Sequence, residues 1–285
     1  MFRRLAVIAG VLPLLLAAGL ANARTLEEAR EQVEMSMLVR GHVDIDRQGR
    51  ITGHELEQAE SLPAYVVDMV AAAVPRMRFE PVLVDGEPVL ALAKMTLRLL
   101  AKPDGDDVHL SIRSAHFGDE DALPDEERVR PVRMRPPSYP TDILHLGGAG
   151  DVYLVLKIGR DGAVEDVAVE QTNLTSLGTA REMERIRDAL EKAALRQARR
   201  WRFAPPTAGE KADAPHWAVR VPVQYRLGGH PESSYGQWVA YHPGERAACP
   251  DWCAPDAPGF SPDLLAAGDA HPAQSRFRLL EAPGS

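Results

Sequence analysis

Cysteine is almost missing from this chain: 285 residues carry two, Cys249 and Cys253. That excludes a multi-bridge disulfide scaffold and a zinc site built from two cysteine pairs. Positive charge is also in short supply. With 33 Lys and Arg against 41 Asp and Glu, the formal net charge is -8. A nucleic-acid partner is therefore excluded, because phosphate contacts need a basic surface, and so is dense adsorption to anionic membrane. After Leu20 no stretch approaches the ~18 consecutive apolar residues of a membrane-spanning helix. No G-x-S-x-G, no H-E-x-x-H and no phosphate-cradling glycine loop occurs. The nine histidines are scattered, and His42, His54, His109 and His116 are most simply exposed side chains. No catalytic residue and no cofactor are expected.

What is present begins with an export pattern. Arg3 and Arg4 precede an apolar stretch from Leu5 to Leu20, and Ala21-Asn22-Ala23 offers an A-x-A cleavage site. Residues 1–23 read as a signal peptide leading to the periplasm. The alternative is an uncleaved anchor in the inner membrane, the one membrane contact foreseen. The 45% hydrophobic composition of the whole chain suits packed domains.

The second half has the clearer periodicity. Val152, Leu154, Leu156 and Ile158 alternate with Tyr153, Val155 and Lys157, as in a strand. Asp161-Gly162 supplies a hairpin turn, and Val164 to Glu170 continues as a second strand. From Thr179 the period becomes helical, with Met183, Ile186, Leu190, Ala194, Gln197 and Trp201 on one stripe that stops before Pro205-Pro206. Trp217, Val219, Val221, Val223, Tyr225 and Leu227 alternate as a third strand. The order predicts an α+β unit, one helix on an antiparallel sheet.

The first half repeats that plan. Met35 to Ile45 alternate, Ile51 begins a return strand, and Val66, Val70, Ala73 and Met77 form a helical stripe. That stripe ends in RMRFEP at 76–81, whereas the second ends in RWRFAP at 200–205. Both share Arg-x-Arg-Phe-x-Pro, and a long strand from Val89 to Leu100 follows in the first half. Val108, Leu110 and Ile112 add a fourth strand. An internal duplication explains the parallel economically.

Two local patterns leave alternatives open. In CPDWC, Cys249 and Cys253 are candidates for a disulfide, with free thiols, metal or redox chemistry as the other readings. Residues 44–55 follow EF-hand spacing. Asp44, Asp46, Gln48, Arg50 (through its carbonyl) and Glu55 would ligate calcium around the Gly49 bend. The competing reading is a hairpin turn with solvated acids, favoured by the strand periodicity before it. Trp201 and Phe203, at a helix end, are read as core plugs, with a recognition pair as the alternative.

Four segments now point to one family: Tyr139-Pro140, GDVYLVLKIGRDGAVEDVAV at 150–169, the helix closing in RWRFAP, and AVRVPVQYRL at 218–227. In order and spacing they resemble the C-terminal domain of TonB over about residues 136–228. Tyr139, Pro140, Gly150, Gly162, Trp201, Phe203 and Pro205 carry the motif. The resemblance implies a protein that binds other envelope proteins, including TonB-dependent receptors, by adding a partner strand beside Trp217, Val219, Val221, Val223 and Tyr225. Pro222 removes one donor from that border. Leu5 to Leu20 holds no Ser, His or charge, and no long Pro-Glu or Pro-Lys tract follows. The expectation is thus an adaptor that binds, associated with TonB-dependent transport, rather than a force transducer. An envelope structural protein and a calcium-binding module are the other functional readings.

The expected organisation is a signal at 1–23, a divergent TonB C-terminal-like unit at 24–116, and a charged linker at 117–135. A second such unit spans 136–228, and a Pro/Gly-rich, mostly irregular tail occupies 229–285. The fold class is α+β, two small antiparallel sheets each backed by a helix.

Overall fold

A computed structural model describes residues 34–104, 107–118, 123–227 and 235–283. The signal expected at 1–23 lies outside them. The first unit opens with β1 (Glu34–Ile45), β2 (Ile51–Leu56) and helix α1 (Ala64–Ala73), followed by a small ribbon of β3 (Leu83–Val84) and β4 (Glu87–Pro88). It closes with β5 (Ala91–Asp104) and β6 (Asp107–Gly118). Then come β7 (Arg130–Arg133), β8 (Gly150–Gly159), β9 (Val164–Leu174), helix α2 (Ala180–Ala198), β10 (Arg202–Ala204) and β11 (His216–Tyr225). The tail adds β12 (Val239–Tyr241) and β13 (His271–Pro272).

Both sheets are antiparallel, and α1 and α2 each press an apolar stripe onto one. In the first unit the middle strands run β2, β1, β5, β6. In the second they run β9, β8, β11, β13. Hairpin, helix and returning strand therefore follow the same connectivity twice. The parallel reaches the turns. Gly49 and Gly162 both sit at φ 75, and their carbonyls accept from the amides of Phe79 (2.8 Å) and Phe203 (2.9 Å). These are the phenylalanines of the two Arg-x-Arg-Phe-x-Pro segments. A Cβ on Gly49 would stand 2.0 Å from the Phe79 oxygen, and one on Gly162 1.9 Å from the Phe203 oxygen, so only glycine fits.

Helix α2 starts at a capping box. Thr179 Oγ1 accepts from the Glu182 amide while the Glu182 carboxylate accepts from the Thr179 amide. The Thr179 amide and the Thr179 hydroxyl both donate to the Glu182 carboxylate at 2.8 Å and hold it below its ordinary range. Met183, Ile186, Leu190, Ala194 and Ala198 are buried against Val152, Leu154, Leu156 and Ile158 of β8. At the other end the amides of Arg200 and Trp201 bond only three residues back. The turn tightens there, and Trp201 swings into the core 2% exposed. The helical stripe read through Trp201 thus ends as helix at Ala198 and continues as packing. In the first unit Met77 likewise falls outside α1. Pro75 would clash with the preceding turn and the chain tightens at Val74–Arg76.

Two sequence expectations are corrected, the start of the long strand and the linker, and the tail gains a structural role. Strand β5 begins at Ala91 and runs to Asp104, because Val89 is held in the ribbon by a bond from its amide to the Val82 carbonyl. The charged linker is not all connector: Arg130–Arg133 pairs with β10 and belongs to the second unit. The tail, irregular in backbone, is not peripheral. It supplies β12 to the border of β1, and Phe277 and Leu279 to the first core, each 2% exposed. It also spans the units at Asp263, whose carboxylate lies 2.9 Å from Arg98 of β5 and accepts from Asn173 of β9.

Candidate binding surface

Strand β11 alternates between two environments. Trp217, Val219, Val221, Val223 and Tyr225 face α2 and are 2 to 7% exposed. They hold the core, so a partner strand would meet the main chain of β11 rather than these side chains. Tyr225 sits in an edge-to-face pair with Tyr139, 6.5 Å between ring centres. Its hydroxyl donates to the Leu190 carbonyl (3.1 Å), and burial pushes its phenol well above the ordinary range. Tyr139 donates to the Gly148 carbonyl at 2.7 Å, fixing the approach to β8. Pro140 caps the short 3-10 turn Thr141–Leu146 that leads there. At Gly150 a Cβ would stand 2.5 Å from the Asn173 carbonyl, so the β8–β9 pair closes only over glycine. Trp201 Nε1 donates to the Arg135 carbonyl (2.8 Å), and Phe203 is 4% exposed. Pro205 lies beside the Gly162 turn.

The opposite face of β11 carries Ala218, Arg220, Pro222 and Gln224, and here the tail lies. The outer border of β11, expected to be free, is occupied. Val219 pairs with Pro272, Arg220 with His271, and the Ala273 amide donates to the Ala218 carbonyl at 3.0 Å. The cover is short, two residues of strand against ten in β11. The matching border of β5 in the first unit is paired from Lys94 to Asp104 by the twelve residues of β6. On the far side of the second sheet, His242 and Leu174 exchange main-chain bonds of 2.8 and 2.9 Å, and the Ala247 amide reaches the Glu170 carbonyl. The tail thus borders both edges of that sheet.

What pins it is a buried charge cluster that sequence reading missed. Arg220 is 1% exposed and Glu170 1% exposed. Arg220 Nε and Nη2 donate to the two Glu170 oxygens (2.6 and 2.8 Å), and Nη2 also reaches Asp256 of the tail at 2.7 Å. Nη1 donates to the Ala273 carbonyl, and the guanidinium lies 4.6 Å from the centre of the Phe260 ring. Desolvation alone would lower the Arg220 pKa, but its carboxylate partners raise it above the ordinary value. Arg246 pairs with Asp256 from outside. Cys249 and Cys253 form a disulfide beside the cluster, packing with Val155 and Ala273. The only sequence sign of this was one arginine in an otherwise apolar strand, and an arginine on an outward position reads as solvated.

The calcium alternative is corrected by the same geometry. Asp44 and Glu55 lie on paired strands rather than in a loop between helices. Asp46 caps the turn instead: its carboxylate accepts from the amides of Gln48 and Arg50, both 2.9 Å, and from Arg50 Nε at 2.8 Å. The Arg50 main-chain bond chief among these holds Asp46 below the usual carboxylate range. The cation that this carboxylate faces is the Arg50 guanidinium. Among the described residues no helix is long and apolar enough to cross a membrane.

With this geometry in place, comparison with known proteins gives one direction. No family model matches the chain. A stretch of 95 residues is 36% identical to Protein TonB of Xanthomonas campestris pv. campestris strain B100, covering 33% of this chain and 36% of that protein. Protein TonB of strain ATCC 33913 of the same pathovar matches to the same extent. The chain thus spans about a third of the length of these relatives, and it carries a TonB-like region.

Proposed function

We propose that this chain is a non-enzymatic, periplasmic protein-binding module of TonB type, associated with TonB-dependent transport across the outer membrane. The observation that carries this reading is the 36% identity to Protein TonB. The hairpin, helix and strand from Gly150 to Tyr225 are consistent with it, and the export pattern at residues 1–23 supports the compartment. The shared connectivity and the paired Gly–Phe turns favour descent of both units from one duplicated ancestor.

The partner strand enters beside β11 by replacing tail residues 271–273. An antiparallel border offers main-chain groups to any extended peptide, and only two residues of β13 compete for it. Amide hydrogen exchange on the full chain tests this, with and without synthetic N-terminal segments of TonB-dependent receptors. Binding should deprotect the Ala273 amide while β11 and β8 stay protected. A bound receptor segment that leaves Ala273 unchanged would rule out this border as the docking place. Failure of every receptor segment to bind would remove the association with transport.

A further inference from the structure

Around the C-terminal end of α2 the chain gathers positive charge that no ion pair among the described residues neutralises. Arg133, Arg135, Arg196, Arg199, Arg200 and Arg202 are all exposed, and none forms an ion pair among the described residues. Three of them, Arg133, Arg135 and Arg200, line one open cleft of ≈ 280 Å³ with Gln197 and Trp201. This sits oddly on a protein of net charge -8.

Helix chemistry accounts for part of it. Cations at a helix C-terminus are favoured by the partial negative charge there, which covers Arg196, Arg199 and Arg200. It does not cover Arg133 and Arg135, which come from the preceding segment. Nor does it cover Arg202, which stands directly opposite Arg133 in the β7–β10 register. Like charges facing each other across an antiparallel pair are destabilising, so this placement costs stability unless an anion lies between them.

The cleft is floored rather than empty of structure. Gln197 Nε2 and Trp201 Nε1 both donate to the Arg135 carbonyl, at 3.1 and 2.8 Å, holding the segment against the helix. The arginine heads are left facing outward. Among the described residues strand β7 pairs with β10 alone, leaving its other border open there, and Val132 on it is 68% exposed. An open border calls for extended polypeptide, and guanidinium forks call for carboxylates. The chain shows that chemistry one step upstream: Asp125 already bonds Arg128 (2.7 Å) and Arg130 (3.4 Å), next to the unpaired group.

We propose that this cleft is a docking site for an extended acidic segment of a partner protein, its carboxylates held by Arg133, Arg135 and Arg200 and its main chain laid along β7. The site is separate from the β11 border and stands whether or not a strand adds there.

A labelled peptide alternating Glu and Val, titrated into the full chain by fluorescence anisotropy, tests it against the same peptide with Gln for Glu. The acidic peptide should bind and the amide peptide should not. R133Q/R200Q should weaken binding by about tenfold or more, the loss of charge-assisted bonds, and R133K/R200K by less. R181Q, at the opposite end of α2, should bind as the wild type does. Should the double variant fail to fold, judged by its thermal melt, R135Q serves in its place, since the carbonyl of residue 135 keeps its partners. Equal binding of the amide peptide, wild-type affinity in R133Q/R200Q, or no binding at all would overturn the proposal. So would tighter, variant-sensitive binding of inorganic phosphate or of phosphatidylglycerol vesicles, which would assign the cleft to phosphate chemistry.

Discussion

Arg220 of β11 and Glu170 of β9 form a two-pronged ion pair across the face of β8, with both side chains almost wholly shut from solvent. Each partner makes the other tolerable in that environment. Removing one leaves an uncompensated buried charge, which typically costs about 3–5 kcal/mol. Glu170→Gln and Arg220→Met are each expected to destabilise by that order, read as a shift in the urea midpoint. Replacing both together should cost less than the sum. Additive losses would mean the two groups are not coupled.

Glycine at the two hairpin turns makes a sharper comparison. Gly162→Ala and Gly49→Ala demand both a positive φ and a Cβ inside a carbonyl oxygen. Each is expected to lose more than about 1 kcal/mol. Gly86→Ala shares the positive φ but meets nothing within 4 Å, so its loss should be the smallest of the three. Denaturant melts of the three variants decide it, and a Gly86 variant as damaged as the others would count against the steric account.

His242 gives the tail a pH dependence. Arg187 Nη2 donates to His242 Nδ1 at 2.7 Å, so the folded imidazole is neutral. Burial first, and the Arg187 charge second, hold its pKa below the ordinary value. The unfolded histidine takes up a proton near its ordinary pKa of about 6.5, whereas the folded one resists. The contribution is therefore complete above that pH and is lost as pH falls through the lower folded value. Protection factors at the Leu174 and His242 amides, corrected for the intrinsic slowing of exchange in acid, should fall on acidification from neutral by more than those of the core strands, and in His242→Gln the fall at Leu174 should flatten.

The Cys249–Cys253 disulfide closes a very short loop, for which chain entropy predicts a modest stabilisation of about 2 kcal/mol. Reduction should loosen the tail around Asp256 before either core melts. Limited proteolysis with and without reductant would show this as new cuts confined to residues near 246–260, and cuts spread over both units would contradict it.

How far the residues announced this structure depends on how local the cause was. Val152 to Ile158, the stripe from Met183 to Ala198 and the two turn glycines carry their own periodicity or their own backbone demand, and they are legible in sequence. So are the strands flanking 46–50. The tail is not, because its contacts are single residues far apart in sequence. Phe277 and Leu279 enter a core more than 150 positions upstream, His271 and Pro272 cover a border with two residues, and no pattern of period two or 3.6 survives in so short a contact. Arg220 misleads for a related reason: its partners Glu170, Asp256 and Ala273 come from three separate segments. The basic cleft was half visible as the arginine run 128–135, but its other wall, Gln197 and Arg200, belonged to what reads as a helix terminus.

Phe277 and Leu279 are made long after the other residues of the first core, yet they are buried in it. The earlier-made unit must therefore wait, incompletely packed, while the whole second unit is synthesised. Any factor that shields exposed apolar surface during that interval would find its substrate there.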